Sequence, residues 1–269
     1  MQINNNVSAF NAYRNLTNTS KTLNSTMQKL SSGKRINSAA DDAAGLTIST
    51  KLAAQLSSLS QANNNTQDAV SVTQIADGSL NEVASNLQRM RELSVQAANT
   101  GANDPTARAA IQAEITQLGQ SIDQIGTSTS FGSNQLFTAT ASSFQVGSGV
   151  TDVVNVTVGA LSSASLGVAT VTVTTGAGAS SAIGAIDAAI DSVNSQRANL
   201  GATQNSLEST SRNLSTQIGN VQDSNSRMSD TDYALESMNL MKASIQQQAG
   251  LAMMAQANSS SSSILGLLN

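Results

Sequence analysis

The last third of the chain carries one unbroken stripe of positions spaced alternately four and three residues apart. The stripe consists of Ile186, Ile190, Val193, Arg197, Leu200, Gln204, Leu207, Ser211, Leu214, Ile218, Val221, Asn225 and Met228. This spacing keeps the stripe on one side of an α-helix, and a strict seven-residue repeat is typical of helices that coil around each other. At about 1.5 Å per residue, the segment predicts a rod longer than about 60 Å. Such a length favours a structural or self-assembling protein.

Helical patterns also occupy most of the remaining chain. A first stripe predicts a helix that ends at Gly33, a residue suited to a left-handed C-cap; its members are Ala9, Tyr13, Leu16, Ser20, Leu23, Met27 and Leu30. A second helix is predicted from about Ala43 to Asn99, and a third begins after Asp104 as N-cap with Pro105 as first helical residue. The Ser-x-x-Asp spacing of residues 229–232 predicts a capping box. A last helix follows it and carries Met238, Met241, Ile245, Ala249 and Ala252.

Between about residues 137 and 182 the period changes to two. Val154, Val156 and Val158 alternate with polar residues, as do Val171 and Val173, which predicts short antiparallel strands. The predicted fold class is therefore mainly α, with a long coiled-coil helical rod, paired terminal helices and a small antiparallel β-hairpin element. The predicted parts are 1–42 (terminal helix and connector), 43–136 (first half of the rod), 137–182 (β element), 183–228 (long helix of the rod) and 229–269 (C-terminal helix).

The amino-acid composition excludes several classes of function. Aromatic residues make up 2% of the chain and charged residues 11%, well below the roughly 25% of ordinary soluble domains, so the core is expected to be thin. The net charge of −4 argues against a nucleic-acid partner, and no apolar run is long enough to span a membrane. Cys and His are absent, which excludes thiol nucleophiles, Ser-His-Asp triads and His-based zinc sites. A chain with no disulfide and one Pro is also compatible with export in an unfolded state.

Two short motifs could suggest chemistry, but each has a simpler interpretation. Gly33-Lys34 lacks the remainder of a phosphate-binding loop, so it is interpreted as a helix end with Lys34 and Arg35 near the negative end of the dipole. Asp41 and Asp42 are interpreted as caps in a connector rather than as a metal site or an acid-base pair. No catalytic, cofactor-binding or metal-binding residue is therefore expected.

Three long motifs resemble bacterial flagellin. They are LSSGKRINSAADDAAGL (residues 30–46), QRMRELSVQAAN (88–99) and NLMKASIQQQAGLAMMAQAN (239–258). The resemblance covers nearly all of 1–135 and about 183–269. It implies a non-enzymatic subunit that polymerises into the extracellular flagellar filament, the propeller for swimming, with the two chain ends pairing in the inner core of the filament.

The resemblance also implies partners and sites. The expected partners are other copies of the subunit, an export chaperone at the C-terminal segment, and the filament cap and hook-junction proteins. Export is expected through the flagellar type III secretion apparatus, without a cleaved signal peptide. Arg89, Leu93 and Glu114 match the face that Toll-like receptor 5 recognises in flagellins. The expected assembly seam, whose helices are expected to become ordered on assembly, consists of Leu16, Leu23, Met27, Leu30, Met238, Met241, Ile245 and Ala252.

Two features depart from the family pattern. Only about 45 residues of β-like sequence stand where many flagellins insert large outer domains, which predicts a minimal subunit. Ser259–Ser263 stand where related C-termini often carry a Pro, which predicts a more flexible loop. Two alternatives remain at this point: a hook-filament junction protein, which shares similar ends, and an exported enzyme on a helical scaffold.

Overall fold

The computed structural model describes residues 6–138 and 140–266, with side chains as far as Ser259. Over these residues the chain forms five helices and two small antiparallel sheets. The elements are α1 (Val7–Ser32), α2 (Ala43–Ala98), α3 (Pro105–Ser128), β1 (Ser130–Phe131), β2 (Asn134–Gln135), β3 (Ser142–Gln145), β4 (Val153–Val156), α4 (Gly176–Ser229) and α5 (Tyr233–Gly266). The mainly α fold class with a small antiparallel β element is confirmed.

The chain divides into two compact units whose borders lie within α2 and α4. Unit 1 comprises residues 1–56 and 219–269, and unit 2 comprises residues 57–218. The five-part division inferred from the sequence stays a prediction.

The core of unit 2 is a helical seam. The buried stripe of α2 keeps the four-three spacing without a break: Leu59, Ala62, Thr66, Ala69, Thr73, Ala76, Leu80, Val83, Leu87, Met90, Ser94 and Ala97. Every predicted stripe position of α4 within unit 2 is buried or half-buried. Ion pairs join Arg91 to Asp187 at 2.6 Å and Arg197 to Asp77 at 2.8 Å, so the two helices run antiparallel. The predicted coiled-coil seam is confirmed in this unit.

Helix α3 completes the helical layer of unit 2. As predicted, Asp104 caps it: Asp104 Oδ1 accepts a hydrogen bond of 2.6 Å from the Ala107 N–H, and Pro105 is the first helical residue. Ile111, Ile115 and Ile122 are buried at the four-three positions of this helix. They join the same apolar core as α2 and α4.

The β element differs in position from its prediction. Strands β1 and β2 pair at residues 130–135, before the predicted start at residue 137, and α4 begins at Gly176 rather than near residue 183. Strands β3 and β4 pair in antiparallel register, with Ser142 opposite Val156 and Gln145 opposite Val153. The alternation around residues 154–156 is thus confirmed as a strand.

The strand predicted at Val171 and Val173 is wrong. Both residues are buried, but the side chain of Gln112 occupies the place of a neighbouring strand: Gln112 Oε1 accepts the Val173 N–H at 2.7 Å, and Gln112 Nε2 donates to the Val171 carbonyl at 3.1 Å. Alternating valines indicate burial on one side of an extended segment, and here a helix side chain satisfies the backbone instead of a ladder.

Candidate assembly surface

Helices α1 and α5 of unit 1 pack along each other in antiparallel directions. Asn6 caps α1, because its Oδ1 accepts the Ala9 N–H at 3.0 Å, and Asn6 Nδ2 donates to the carbonyl of Ala257 late in α5. At the other end of α1, Gly33 has a φ of +69°, which confirms the predicted left-handed C-cap.

The positions that α1 and α5 turn towards each other form an inner seam with four-three spacing on both helices. These buried or half-buried positions are Ala9, Ala12, Leu16, Thr19, Leu23, Thr26 and Leu30 on α1, and Glu236, Leu240, Ala243, Gln247, Gly250, Met254 and Ala257 on α5. Leu16 lies against Gly250, where a Cβ atom would come within 3.4 Å of Leu16 Cδ1. Because most members are small or polar, the seam buries little apolar surface.

A second set of apolar side chains points away from the inner seam and is called here the outer face. It consists of Phe10, Tyr13 and Met27 of α1 and Met238, Met241, Ile245 and Ala252 of α5. The large side chains among them are between 53% and 69% exposed. Exposed apolar side chains that form a contiguous patch mark an interaction surface on a soluble protein, which makes the outer face a candidate for one.

The structure separates the eight expected assembly residues into two groups. Leu16, Leu23 and Leu30 are half-buried in the inner seam, whereas Met27, Met238, Met241, Ile245 and Ala252 are exposed on the outer face. The stripe predicted for α1 was wrong at Tyr13 and Met27, because Ala12 and Thr26 take those seam positions and allow the two helices to approach closely. The role of all eight residues in assembly stays a prediction.

The opposite side of the helix pair is a polar groove. Lys21 and Lys29 of α1 and Lys242 of α5 line it, together with Thr22, Ser25, Thr26, Glu236, Asn239, Ala243 and Gln246. The pair therefore carries both an apolar outer face and this polar groove, and α5 exposes further large apolar side chains at Leu235, Leu251 and Met253.

Two connectors join this pair to α2 and α4, and they are bonded to each other. The Arg35 N–H donates to the Ser229 carbonyl at 2.7 Å, and the Thr231 N–H donates to the Gly33 carbonyl at 3.0 Å. The Arg35 guanidinium also donates to the Met228 carbonyl. Arg35 was predicted to lie at the negative end of α1, but its side chain caps the end of α4 instead. Hydrogen bonds from the Ser226 and Ser229 hydroxyls, assisted by Lys34, lower the pKa of Asp230.

Carboxylates of the connectors act as caps, which confirms their predicted role. Asp41 accepts hydrogen bonds from the Ser38 hydroxyl and from the backbone of Ser38 and Asn37, and these bonds lower its pKa. Asp42 Oδ1 accepts the Gly45 N–H at 2.8 Å at the start of α2.

The predicted capping box at residues 229–232 is wrong. Ser229 is the last residue of α4, and Asp232 alone caps α5 by accepting the N–H groups of Ala234 and Leu235. Among the described residues, no three His, Cys, Asp or Glu side chains are grouped so that they could hold a metal ion.

The flexible loop predicted at Ser259–Ser263 is also wrong, because α5 continues to Gly266. Within the helix, the Ser259 hydroxyl donates to the Gln256 carbonyl at 3.0 Å, so a serine here is compatible with the helical backbone. No helix in the described part of the chain is long and apolar enough to cross a membrane.

The three expected receptor residues are not equivalent. Arg89 binds Glu114 at 2.8 Å and Glu92 at 3.3 Å, and these carboxylates, Glu114 first, raise the pKa of Arg89. The side chains of Arg89 and Glu114 are about half exposed, at 51% and 46%. Leu93 is only 2% exposed and belongs to the core of unit 2, so it does not lie on the exposed face that the resemblance implies. Val72, Ala84 and Leu93 of α2 are buried outside its first stripe, and their apolar side chains were the missed signal.

Long helices with heptad seams, and a terminal helix pair with exposed apolar side chains, are typical of a helical structural protein with an interaction surface. Residues 3–142 match the bacterial flagellin N-terminal helical region, and residues 183–268 match the C-terminal helical region. The chain belongs to the bacterial flagellin family, which is a family of structural proteins, and it is a subunit of the extracellular flagellar filament.

Individual relatives agree with this assignment. The chain is 42% identical over 272 residues to a flagellin of Halalkalibacterium halodurans and 41% identical over 286 residues to the flagellar filament 33 kDa core protein of Treponema phagedenis. Both comparisons cover the whole of each chain. The crystal structure of Bacillus cereus flagellin matches with a TM-score of 0.51 at 31% identity, over 56% of this chain and 88% of that chain.

Proposed function

We propose that other copies of the subunit cover the outer face of the α1–α5 pair in the filament, and that residues 1–42 and 229–269 form its inner core. The supporting observation is that the inner seam already uses one heptad stripe of each helix, while a separate stripe of large apolar side chains remains exposed. Residues 1–5 and 267–269 of this proposed core lie outside the described residues. Residues 43–228 then form the surrounding wall, and no residue catalyses a reaction.

The thin inner seam supports the expectation that the two ends become ordered on assembly. Ala, Thr and Gly hold most of its positions, and isolated helices with little apolar burial are marginal in water. Burial of the outer face offsets the entropy lost on ordering, since a fully buried large apolar side chain contributes about 1.5–3 kcal/mol. Hydrogen exchange should therefore be fast in α1 and α5 of the free subunit and slow in the filament. Equal protection in both states would contradict this ordering.

A pair of adjacent substitutions tests the outer face. Ile245 is 66% exposed on the outer face, and Gln246 lines the polar groove. Ile245→Ser should raise the critical concentration for seeded polymerisation about tenfold, which corresponds to about 1.4 kcal/mol of lost apolar burial. Gln246→Ser should change it less than about twofold. The proposal fails if the two variants polymerise equally well.

We further propose that the subunit is exported unfolded through the flagellar type III secretion apparatus. The lack of Cys and the single Pro support this route, because neither disulfides nor several slow prolyl bonds hinder threading. An export chaperone covers the C-terminal segment before assembly, and the filament cap and hook-junction proteins contact the ends of the polymer. Deletion of the residues after Ser229 should abolish co-purification of the chaperone.

Toll-like receptor 5 is a proposed host partner of released subunits. Arg89 and Glu114 support this proposal because they form an exposed ion pair, while Leu93 would contribute only by supporting the helix from within the core. Arg89→Ala should sharply reduce receptor signalling and leave the helix content unchanged. Signalling equal to that of the unmodified protein would reject the proposal.

A further inference from the structure

The apolar part of the α2–α4 seam in unit 2 repeats itself every seven residues. On α4, one apolar residue occupies the same seam position in each repeat: Val193, Leu200, Leu207 and Leu214. The facing stretch of α2 offers small side chains between Leu59 and Leu80, namely Ala62, Thr66, Ala69, Thr73 and Ala76. If α4 moved by one heptad, about 10 Å along α2, two of the four α4 residues would again face small side chains, while Leu200 would reach Leu80 or Leu207 would reach Leu59, depending on the direction. Apolar burial therefore distinguishes these registers only in part.

Polar side chains in the same seam do not repeat every seven residues. Asn63 Oδ1 accepts a hydrogen bond of 2.9 Å from the Ser211 hydroxyl, and Asp77 Oδ1 accepts one of 2.8 Å from Arg197 Nε. These two polar rungs lie fourteen residues apart on both helices. The seam position between them on α4 is Gln204, which forms its hydrogen bond with Glu208 of its own helix.

We propose that the polar rungs Asn63–Ser211 and Asp77–Arg197 select the register in which α4 packs on α2. A one-heptad shift in either direction breaks both rungs. Asp77 then faces Gln204 or Ile190, and the Arg197 side chain, which is 33% exposed, loses its carboxylate partner. Polar residues at a seam position are known to specify register in this way, at some cost in stability, because a misplaced partly buried charge is unfavourable.

The register determines the outer surface of unit 2. The β3–β4 hairpin is tied to α2, because Asn65 Nδ2 donates to the Gln145 carbonyl at 3.0 Å. The turn of that hairpin borders a groove whose other wall is formed on α4 by Ser206, Thr210 and Asn213. A shift of one heptad would bring different α4 residues beneath the hairpin. The two polar rungs are thus positioning residues for any surface that the β3–β4 hairpin and α4 form together.

The absence of cysteine allows a direct test in the full chain, because only an engineered pair can form a disulfide. Asn63→Cys with Ser211→Cys reports the native register. Asn63→Cys with Gln204→Cys, or with Ile218→Cys, reports the two slipped registers. Each reporter removes the Asn63 rung and also carries Ser49→Ala and Arg91→Met, which remove the hydrogen bond to Asn225 and the ion pair to Asp187, so that Asp77–Arg197 acts alone. The reporters are compared in three backgrounds: unchanged, Asp77→Ala with Arg197→Met, and the charge-swapped Asp77→Arg with Arg197→Asp.

The neutral background should increase slipped crosslinks at least tenfold, while the charge-swapped background should crosslink in the native register. The proposal would be overturned if the neutral background formed crosslinks only in the native register. It would also be overturned if the charge-swapped background formed as many slipped crosslinks as the neutral one. If circular dichroism shows that Asp77→Ala with Arg197→Met has lost its helices, Asp77→Asn with Arg197→Gln replaces it. That pair removes the charges and keeps both side chains polar, and the same two outcomes decide.

Discussion

Gly126→Ala should destabilise unit 2, although alanine is ordinarily the better helix former. Gly126 is buried in α3, and a Cβ atom at this position would lie 2.0 Å from the carbonyl oxygen of Leu161 and 3.1 Å from its carbonyl carbon. The obstacle is backbone and cannot rotate away. Asp123 also fixes the segment around Leu161, because its two carboxylate oxygens accept the Ser163 N–H at 2.7 Å and the Ser163 hydroxyl at 2.9 Å.

The magnitude follows from two opposing terms. Replacing glycine by alanine inside a helix stabilises it by about 1 kcal/mol. Overpacking of a rigid site typically costs about 1–3 kcal/mol, and occasionally more. Since α3 and the segment around Leu161 must separate by more than 1 Å to reach ordinary contact distances, we expect the upper end, with a net loss of about 2 kcal/mol.

Gly119→Ala is the matched control. Gly119 lies seven residues earlier on the same face of α3, and a Cβ atom there would come no closer than 4.0 Å to Ser163 Cβ. This variant should be unchanged or more stable by up to about 1 kcal/mol. Urea unfolding followed by circular dichroism measures both variants. If Gly126→Ala is as stable as Gly119→Ala, the close approach of Leu161 does not constrain position 126.

Three further substitutions give separate predictions. Gln112→Ala should lower the free energy of unfolding by about 1–3 kcal/mol, because the backbone of Val171 and Val173 loses its partners; faster hydrogen exchange at Val173 would show the local effect. Asp104→Ala should cost about 0.5–2 kcal/mol in urea unfolding, and Asp104→Asn much less, because asparagine also caps. The pKa of Asp230 is lowered in the folded chain, so its stabilising contribution is present above its ordinary pKa of 3.8 and is lost as the pH falls through the folded value. Asp230→Asn should therefore make unit 1 less sensitive to acid, measured as helix content against pH.

The heptad spacing of α4 was sufficient to predict which of its residues face a partner. Every stripe position from Ile186 to Met228 is buried or half-buried, because a strict seven-residue repeat leaves one choice of face. The face of α1 was harder to assign. Tyr13 lies four residues after Ala9 and Ala12 lies three after it, and both spacings suit a helix. The larger apolar residue was selected from the sequence, whereas close packing against α5 favoured the smaller one.

Burial of Leu93 and the conformation of residues 171–173 required tertiary information. Leu93 lies outside the first stripe of α2 and belongs to the same core as Ile111 and Ile115 of α3. The alternation of Val171 and Val173 predicted a strand, whereas both residues are buried in a segment that forms none. The sequence could not show that Gln112, about sixty residues earlier, would take the place of a paired strand.

The bonded connectors of unit 1 have an evolutionary consequence. The Thr231 N–H donates to the Gly33 carbonyl and the Arg35 N–H donates to the Ser229 carbonyl, so residues 33–35 and 229–231 are paired residue for residue, although the connectors 33–42 and 230–232 differ in length. A codon gained or lost within either paired stretch would break this pairing and displace the guanidinium from the Met228 carbonyl. Length variation should therefore be inherited as compensated pairs in the two distant stretches of the gene, and single-sided insertions should be purged.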